Sequence, residues 1–384
     1  MSDSTLAGKD FWMASCTVSI DTARAGRYAR AAWRWARLLA PRRPEPGLRV
    51  FYGHDRIPGP GDLVAGGTAK FQRLGSRFPN RPTDFTLLYF GSTWLPRDLQ
   101  PLLRLARRRR IPIVVNQSGV AYPGWAGDAT DEINREFRRA LLAADHVLYQ
   151  SEFCKQSADR FLGDPQGSWE VLYNAVDIEH FKPAAAPPPS GPVLLLAGDQ
   201  TQAYRLELAV RTLAEVVRSH PDARLLVTGR LVSTPKPLVA ELGLEGKVEF
   251  LGGYAQRAAP DIYRRAHLLL HTKVKDPCPS AVIEAMACGL PVVCPASGGT
   301  LELVGDEAGV AVPHPNGWER DEPPSPQALA EAVRRVLDEL ERYRAAARRR
   351  AAERFALEPW LTRHAALFAE LRAAGPPPPA SRTR

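Results

Sequence analysis

The chain has 384 residues, 45% hydrophobic and 24% charged, the profile of an ordinary soluble protein with room for two domains of roughly 150–200 residues each. Its net charge of +9, with eight lysines among 51 basic residues, favours anionic partners such as nucleotide-sugars, phospholipid surfaces or nucleic acid. The five cysteines (Cys16, Cys154, Cys278, Cys288 and Cys294) include no Cys-x2-Cys pair, which argues against a disulfide framework or a structural zinc site and for a reducing compartment.

The N-terminus reads MSDSTLAGKDFW, without the basic start and apolar core of a secretory signal. No apolar run approaches the ~18–20 residues of a membrane span, so the expectation is a cytoplasmic protein with membrane contact limited to its periphery. Thr22–Leu39 has the apolar spacing of an arginine-rich helix. Short β-branched or leucine-rich runs predict strands at Leu48–Tyr52, Phe85–Phe90, Ile111–Asn116, His146–Gln150 and Glu170–Tyr173. Helices such as Pro96–Arg109 and Asp131–Ala143 lie between them. Pro183–Pro192 is a stiff linker by composition. Beyond it the alternation resumes, with strands predicted at Val193–Ala197, Leu225–Thr228, Val248–Leu251, Leu268–His271 and Pro291–Cys294. This pattern indicates α/β architecture: two parallel sheets, each covered on both faces, with a cleft between their edges. The expected units are residues 1–183 and 184–358, then a helix over 359–374 and a disordered tail over 375–384.

Chemistry concentrates between Asp276 and Glu302. Asp276 and Glu284 bracket a predicted helix start, and Gly289-x-Pro291 closes the helix. A strand follows, then Ser297-Gly298-Gly299-Thr300-Leu-Glu302. Carboxylates accept from hydroxyls and helix N-termini bind phosphate, so this pattern suits a ligand with hydroxyls and a diphosphate. Pro277 and Pro279 have no N–H, which leaves Cys278, Ser280 and Ala281 as backbone donors, with Ser280 also expected as the N-cap. Asp276 and Gly298-Gly299 each follow a predicted strand, at the edge where open α/β sheets bind ligands.

This segment resembles the C-terminal half of the family-4 retaining glycosyltransferases of the GT-B fold. Their hallmark is Glu-x7-Glu, whose second acid opens a Glu-Ala-Met-Ala-x-Gly-x-Pro-Val-Val run followed by Gly-Gly-x-x-Glu. Here the pair reads Asp276-x7-Glu284, one methylene shorter at the first acid. The resemblance runs from about Gly66 to about Val312 and is strongest over Lys273–Gly309. It implies two Rossmann-like domains, with a nucleotide-sugar donor on the C-terminal one and the acceptor on the N-terminal one. It implies transfer of a sugar to an acceptor hydroxyl with retention, without metal or cofactor, the leaving phosphate assisting deprotonation. The acceptor would be a carbohydrate, glycolipid or small molecule, commonly in bacterial polysaccharide or lipopolysaccharide assembly. The helix over 359–374 would pack back on the N-terminal domain.

By the same resemblance, Asp276 faces the donor sugar and Glu284 holds the ribose. Gly298 and Gly299 allow close backbone approach, Thr300 stands on the donor side with them, and Glu302 lies near the nucleotide. The family usually shows Gly-Arg-x4-Lys-Gly where this chain has Gly198-Asp199 and Tyr204-Arg205. Those two cations would neutralise the diphosphate, and here Arg205, Lys273 and Lys275 are the local substitutes. Gly66 and Gly67 match a glycine pair that faces the cleft, followed by Thr68 and Lys70 for phosphate or acceptor hydroxyls. Where many relatives carry a histidine, this chain has Asn116, Gln117 and Ser118, which orient sugar hydroxyls without acting as bases. Tyr122 and Trp125 offer faces for an acceptor.

The run Arg107–Arg110, with the arginines of Arg24–Arg43, offers a face for anionic lipid. No nucleic-acid motif accompanies the charge, so no nucleic-acid partner is expected. Two other classes fit the sequence: a nucleotide-sugar epimerase or hydrolase of the same fold, and a non-catalytic basic protein that binds anionic membrane or nucleic acid.

Overall fold

The computed structural model describes residues 20–40, 47–59, 61–62, 66–185, 188, 191–232 and 235–374. The expected tail over 375–384 lies outside the described residues.

The first sheet grows strand by strand along the chain. Its elements are α1 (Ile20–Leu39), β1 (Val50–Phe51), α2 (Gly66–Arg77), β2 (Leu87–Gly91), α3 (Leu99–Arg109), β3 (Ile113–Gln117), α4 (Pro123–Ala126), α5 (Thr130–Ala143), β4 (His146–Tyr149), α6 (Glu152–Phe161) and β5 (Ser168–Val171). The order is β1-β2-β3-β4-β5, all parallel. β2 and β3 are buried along their whole length, which is why residues 87–90 and 113–115 read as continuous apolar runs rather than alternating ones. One face packs on α1, α3, α5 and α6 through Leu38, Leu102, Leu141 and Ala158. Only Val50 and Phe51 of the strand predicted at Leu48–Tyr52 pair with the sheet. On the other side of β1 the 80–81 segment takes the backbone groups, with Arg81 N donating to Val50 O and Tyr52 N to Asn80 Oδ1.

The second half contains β6 (Val193–Leu196), α7 (Ala203–Val216), β7 (Arg224–Thr228), α8 (Lys236–Glu241), β8 (Val248–Gly252), α9 (Ala259–Tyr263), β9 (Leu268–Leu270), α10 (Ser280–Ala287), β10 (Val292–Pro295), α11 (Gly298–Val304), β11 (Gly309–Val312), α12 (Pro326–Asp338), α13 (Leu340–Arg354) and α14 (Leu357–Ala374). Its six parallel strands run β11-β10-β9-β6-β7-β8. Strand order reverses between β6 and β9, and crevices at such reversals are where doubly wound sheets take ligands. Both halves are therefore parallel α/β units, as expected.

Helix α14 crosses back to the first sheet. Its Trp360, Leu361, Leu367 and Phe368 join Val50, Tyr52, Leu87, Tyr89 and Val114 in one core. His364 is buried within it between Trp360 O at 2.9 Å and the Tyr89 hydroxyl at 3.2 Å, and burial pushes its pKa down to about 4. Among the described residues no helix is long and apolar enough to cross a membrane.

Candidate active site

The chain leaves β9 through His271-Thr-Lys273-Val-Lys275-Asp276 and enters α10. Lys275 adopts a left-handed φ of 49°, uncommon for a residue with a side chain. Ser297 Oγ accepts from its amide at 3.1 Å, and its buried Nζ reaches Asp321 at 3.0 Å. This turn leaves Asp276 3.3 Å from both His271 Nε2 and Lys273 Nζ. Burial alone would raise the Asp276 pKa. The opposing charges of Lys273, His271 and Arg205 outweigh it and hold the carboxyl well below the usual range. Asp276 is thus an ionised, weakly basic acceptor of hydrogen bonds.

Glu284 sits one turn into α10 and is buried. Its Oε1 accepts from Arg73 Nη2 at 2.7 Å and Gln256 Nε2 at 2.6 Å, and its Oε2 from the Tyr263 hydroxyl at 3.2 Å. Burial raises its pKa against the pull of Arg73 and these donors. The N-cap of α10 is Pro279 rather than Ser280, because proline's φ of −67° already suits a helix entry and Ser280 becomes the first helical residue. Val282 and Ile283 N–H groups both turn to Pro279 O, so the amides of Ser280 and Ala281 precede the first intrahelical bonds. Cys278 ties this loop to the other domain: its sulfur accepts from Asn174 N at 3.4 Å and its carbonyl from Asn174 Nδ2 at 2.9 Å.

Two expectations change here. A Cβ on Gly298 would lie 2.7 Å from the Asp276 backbone, and one on Gly299 only 1.8 Å from Pro277 O. The glycine pair therefore serves the approach of α11 to the Asp276–Pro277 backbone. Thr300 is buried behind it, its hydroxyl without a partner among the described residues. Glu302 turns toward the other domain. Its oxygens accept from the Glu152 and Phe153 amides at 2.8 and 2.7 Å and from the Tyr173 hydroxyl at 3.0 Å. It caps α6 of the other domain, a role that the positive helix N-terminus favours for an acid.

At the β6 exit, Gly198 has a φ of 85° and its amide donates to Thr228 Oγ1. Asp199 pairs with Arg230 at 2.6 Å, and Tyr204 accepts from Val274 N at 3.2 Å, so neither supplies a cation. Arg205 is buried, bonded to Asp199 O at 2.8 Å, with its Nε unpartnered among the described residues. Burial lowers its pKa, opposed first by Asp276, so the two charges sense each other.

The N-terminal domain faces this loop with α2 and the β3 exit. Gly66 and Gly67 open α2, with half-buried Thr68 beside them. Lys70 is fully buried, its Nζ 2.6 Å from Asn116 Oδ1, and burial pushes its pKa down to about 8. Gln150 also donates to Asn116, and Asn174 to Gln150 at 3.1 Å, so a hydrogen-bonded chain links Lys70 to Cys278. Gln117 donates to Gly119 O, and Ser118 Oγ meets Ser92 Oγ at 3.1 Å. Arg73 was not anticipated from the sequence. Its signal was the i, i+3 spacing from Lys70, which puts both cations on one flank of α2. His271, Gln256 and Tyr263 carried no motif.

Tyr122 departs from its expected role as an open platform. Its hydroxyl donates to Asp321, and Trp318 packs edge-on against its ring at 5.4 Å. Trp318 also stacks on Phe153 at 5.6 Å, and its carbonyl accepts from Gly124 N at 2.8 Å. A segment of the C-terminal domain thus covers the tyrosine, which is only 7% exposed; Trp125 is 36% exposed.

Two parallel α/β domains, facing each other across Asp276 and Glu284 at the edge of a doubly wound sheet, define the GT-B type of fold. The model of the family described as glycosyl transferases group 1 matches residues 177–354, just under half of the chain. The chain is 27% identical over 205 residues to a phosphatidylinositol N-acetylglucosaminyltransferase component of Arabidopsis thaliana, covering 51% of this chain and 45% of that protein. The chain spans about half the length of the curated relatives it matches first. Its fold is similar to that of a sucrose-phosphate synthase from Thermosynechococcus elongatus, with TM-score 0.61, 20% identity, and 79% and 77% of the two chains covered. It is also similar to the Anabaena protein HepE solved in complex with UDP, with TM-score 0.60, 20% identity, and 79% and 82% covered.

Proposed function

We propose that the protein transfers a sugar from a nucleotide-sugar to an acceptor hydroxyl with retention at the anomeric carbon and without a metal. The observation that carries this is the pairing of an ionised Asp276 at the β9 exit with Glu284 inside α10, at the point where strand order reverses. Glu284 would take the ribose hydroxyls and the tip of α10 the diphosphate. Asp276 would accept from hydroxyls of the donor sugar. Its depressed pKa makes it a poor base, which favours the leaving phosphate oxygen as the group that takes the acceptor's proton. Lys273 and Arg205 supply positive charge beside the departing diphosphate. HepE was solved with UDP, and with UDP-glucose, which supports a uridine-linked donor as the first to try.

The test is a thermal-shift screen against UDP-, GDP- and ADP-linked sugars, followed by product analysis with and without acceptor. Stabilisation by one donor class and an acceptor-dependent product of unchanged anomeric configuration are expected. Free sugar or an epimer formed without acceptor would replace the transferase reading with a hydrolase or epimerase one.

Peripheral docking on an anionic membrane forms part of the proposal. Arg30, Arg37, Trp33 and Leu39 of α1 are exposed, and a bond from Arg109 to Leu38 O sets them beside the exposed Arg107–Arg110 end of α3. Co-sedimentation with phosphatidylserine vesicles but not phosphatidylcholine ones is expected; equal recovery with both would reject it.

A further inference from the structure

Glu284 holds three donors, two from its own domain and one, Arg73, from the other. Arg73 and Glu284 side chains are 10% and 5% exposed, so this is a buried ion pair joining α2 to α10 across the cleft. A carboxylate offers about four acceptor sites, and a ribose diol needs two of them. Binding ribose at Glu284 therefore requires a present donor to leave. Gln256 and Tyr263 are fixed within the same domain, while Arg73 reaches in on a long side chain. Its second terminal nitrogen, Nη1, is buried and has no partner among the described residues. A buried guanidinium nitrogen without a partner is costly to keep unless something comes to meet it.

We infer that Arg73 is a donor-binding residue that exchanges partners, releasing Glu284 to the ribose and closing on the diphosphate attached to that ribose. The inference rests on the nucleotide-sugar reading above. Covalent geometry supports it, because the 5′-phosphates of a nucleotide held by its ribose hydroxyls lie within a side chain's swing of the ribose site. Charge supports it too. The positions after β6 that the family resemblance marks for cations are Asp199, neutralised by Arg230, and Tyr204. Arg73 supplies a cation from the opposite wall, in the planar, two-pronged form suited to phosphate oxygens. The exchange also makes closure of α2 over the donor respond to the diphosphate rather than to the base.

The experiment is isothermal titration of the full chain with UDP, GDP and ADP, and with uridine, guanosine and adenosine, which keep the ribose but lack phosphate. The parent must bind at least one diphosphate; if it binds none, the nucleotide-sugar reading fails and the inference with it. Given a binder, Arg73→Met should weaken the diphosphate about tenfold or more and leave the matching nucleoside unchanged or tighter, because Glu284 is freed. Arg73→Lys should recover part of the loss. Because Arg73→Met strands the buried Glu284 charge, the same comparison is made between Glu284→Gln and the Arg73→Met/Glu284→Gln pair, where no such charge remains. A further tenfold loss for the diphosphate is expected there as well. Unchanged or tighter diphosphate binding in both backgrounds would make Arg73 only a plug. Equal losses for nucleoside and diphosphate would make it a structural support of the ribose site. Either result overturns the inference while leaving the nucleotide-sugar reading in place.

Discussion

Replacing Glu302 separates two roles that one acid was open to from its position in the chain. The Glu152 amide donates to Oε2 and the Phe153 amide to Oε1, so each oxygen satisfies a different N–H at the start of α6, and Tyr173 adds a third donor. Hydrogen bonds to a charged group contribute about 1.5–3 kcal/mol each when well shielded. Glu302 is half-buried and water can replace part of what is lost, so Glu302→Ala should cost about 2 kcal/mol, the upper end of the range for lost helix caps. Glu302→Gln keeps a single carbonyl oxygen for two amides. One of them would then face an NH2 group, and about 1–2 kcal/mol should be lost. Urea unfolding followed by tryptophan fluorescence reads both variants, and UDP, GDP or ADP titration reads the alternative. A lowered urea midpoint with unchanged nucleotide affinity is the expected pair of results. Unchanged midpoints with weakened nucleotide binding would refute the cap and return Glu302 to the donor site.

Glu284→Gln should weaken the bound nucleoside diphosphate roughly 5–150-fold, the loss of charge-assisted bonds worth about 1–3 kcal/mol, and equal affinity in calorimetry would reject the ribose assignment. Asp276→Ala should cut sugar transfer sharply while leaving affinity for the bare nucleotide nearly intact; parallel losses of both would move Asp276 away from the sugar. Lys70 has a folded pKa of about 8, below its unfolded value of 10.5, so the unfolded chain binds more protons between those values and this group's contribution to stability rises with pH across that window. Lys70→Met lacks that rise, so its stability relative to the parent should fall by up to about 3 kcal/mol from pH 7 to pH 10.5; a constant difference in urea midpoints would refute the burial argument. Trp125→Ala should raise the acceptor KM with little change in melting temperature, because the ring is 36% exposed; a large drop in melting temperature with normal KM would make it a packing residue.

The sheet edges were legible because apolar runs end where strands end, and that alone placed Asp276 and Gly298-Gly299 on the correct rim. Strand ends moved by only a residue or two. What the glycines approach was not legible, since Gly299 is fitted to Pro277 O and two segments must be packed before that contact exists. Glu302 shows the same limit more strongly: two of its three partners are backbone amides about 150 residues earlier in the chain, which carry no side-chain signature. Tyr122 read as a free aromatic because Trp318 and Asp321, which cover it, come from a proline-rich stretch with no motif of its own. Arg73 lay in plain view beside Lys70, but helix spacing cannot reveal that a carboxylate stands opposite in another domain.

Helix α14 sets an order of events during synthesis. The first sheet emerges from the ribosome early, yet the face holding Tyr52, Tyr89 and Val114 is closed by Trp360, Leu361 and Phe368. For as long as the second domain is being made, that apolar face waits uncovered, at about 5–20 residues per second. The N-terminal lobe therefore completes its core only after the C-terminal lobe has been translated, and the nascent chain offers chaperones a hydrophobic surface throughout that interval. Joining α14 to the start of the chain by circular permutation would remove the delay, and a higher soluble yield in cell-free translation without chaperones is the signature to look for.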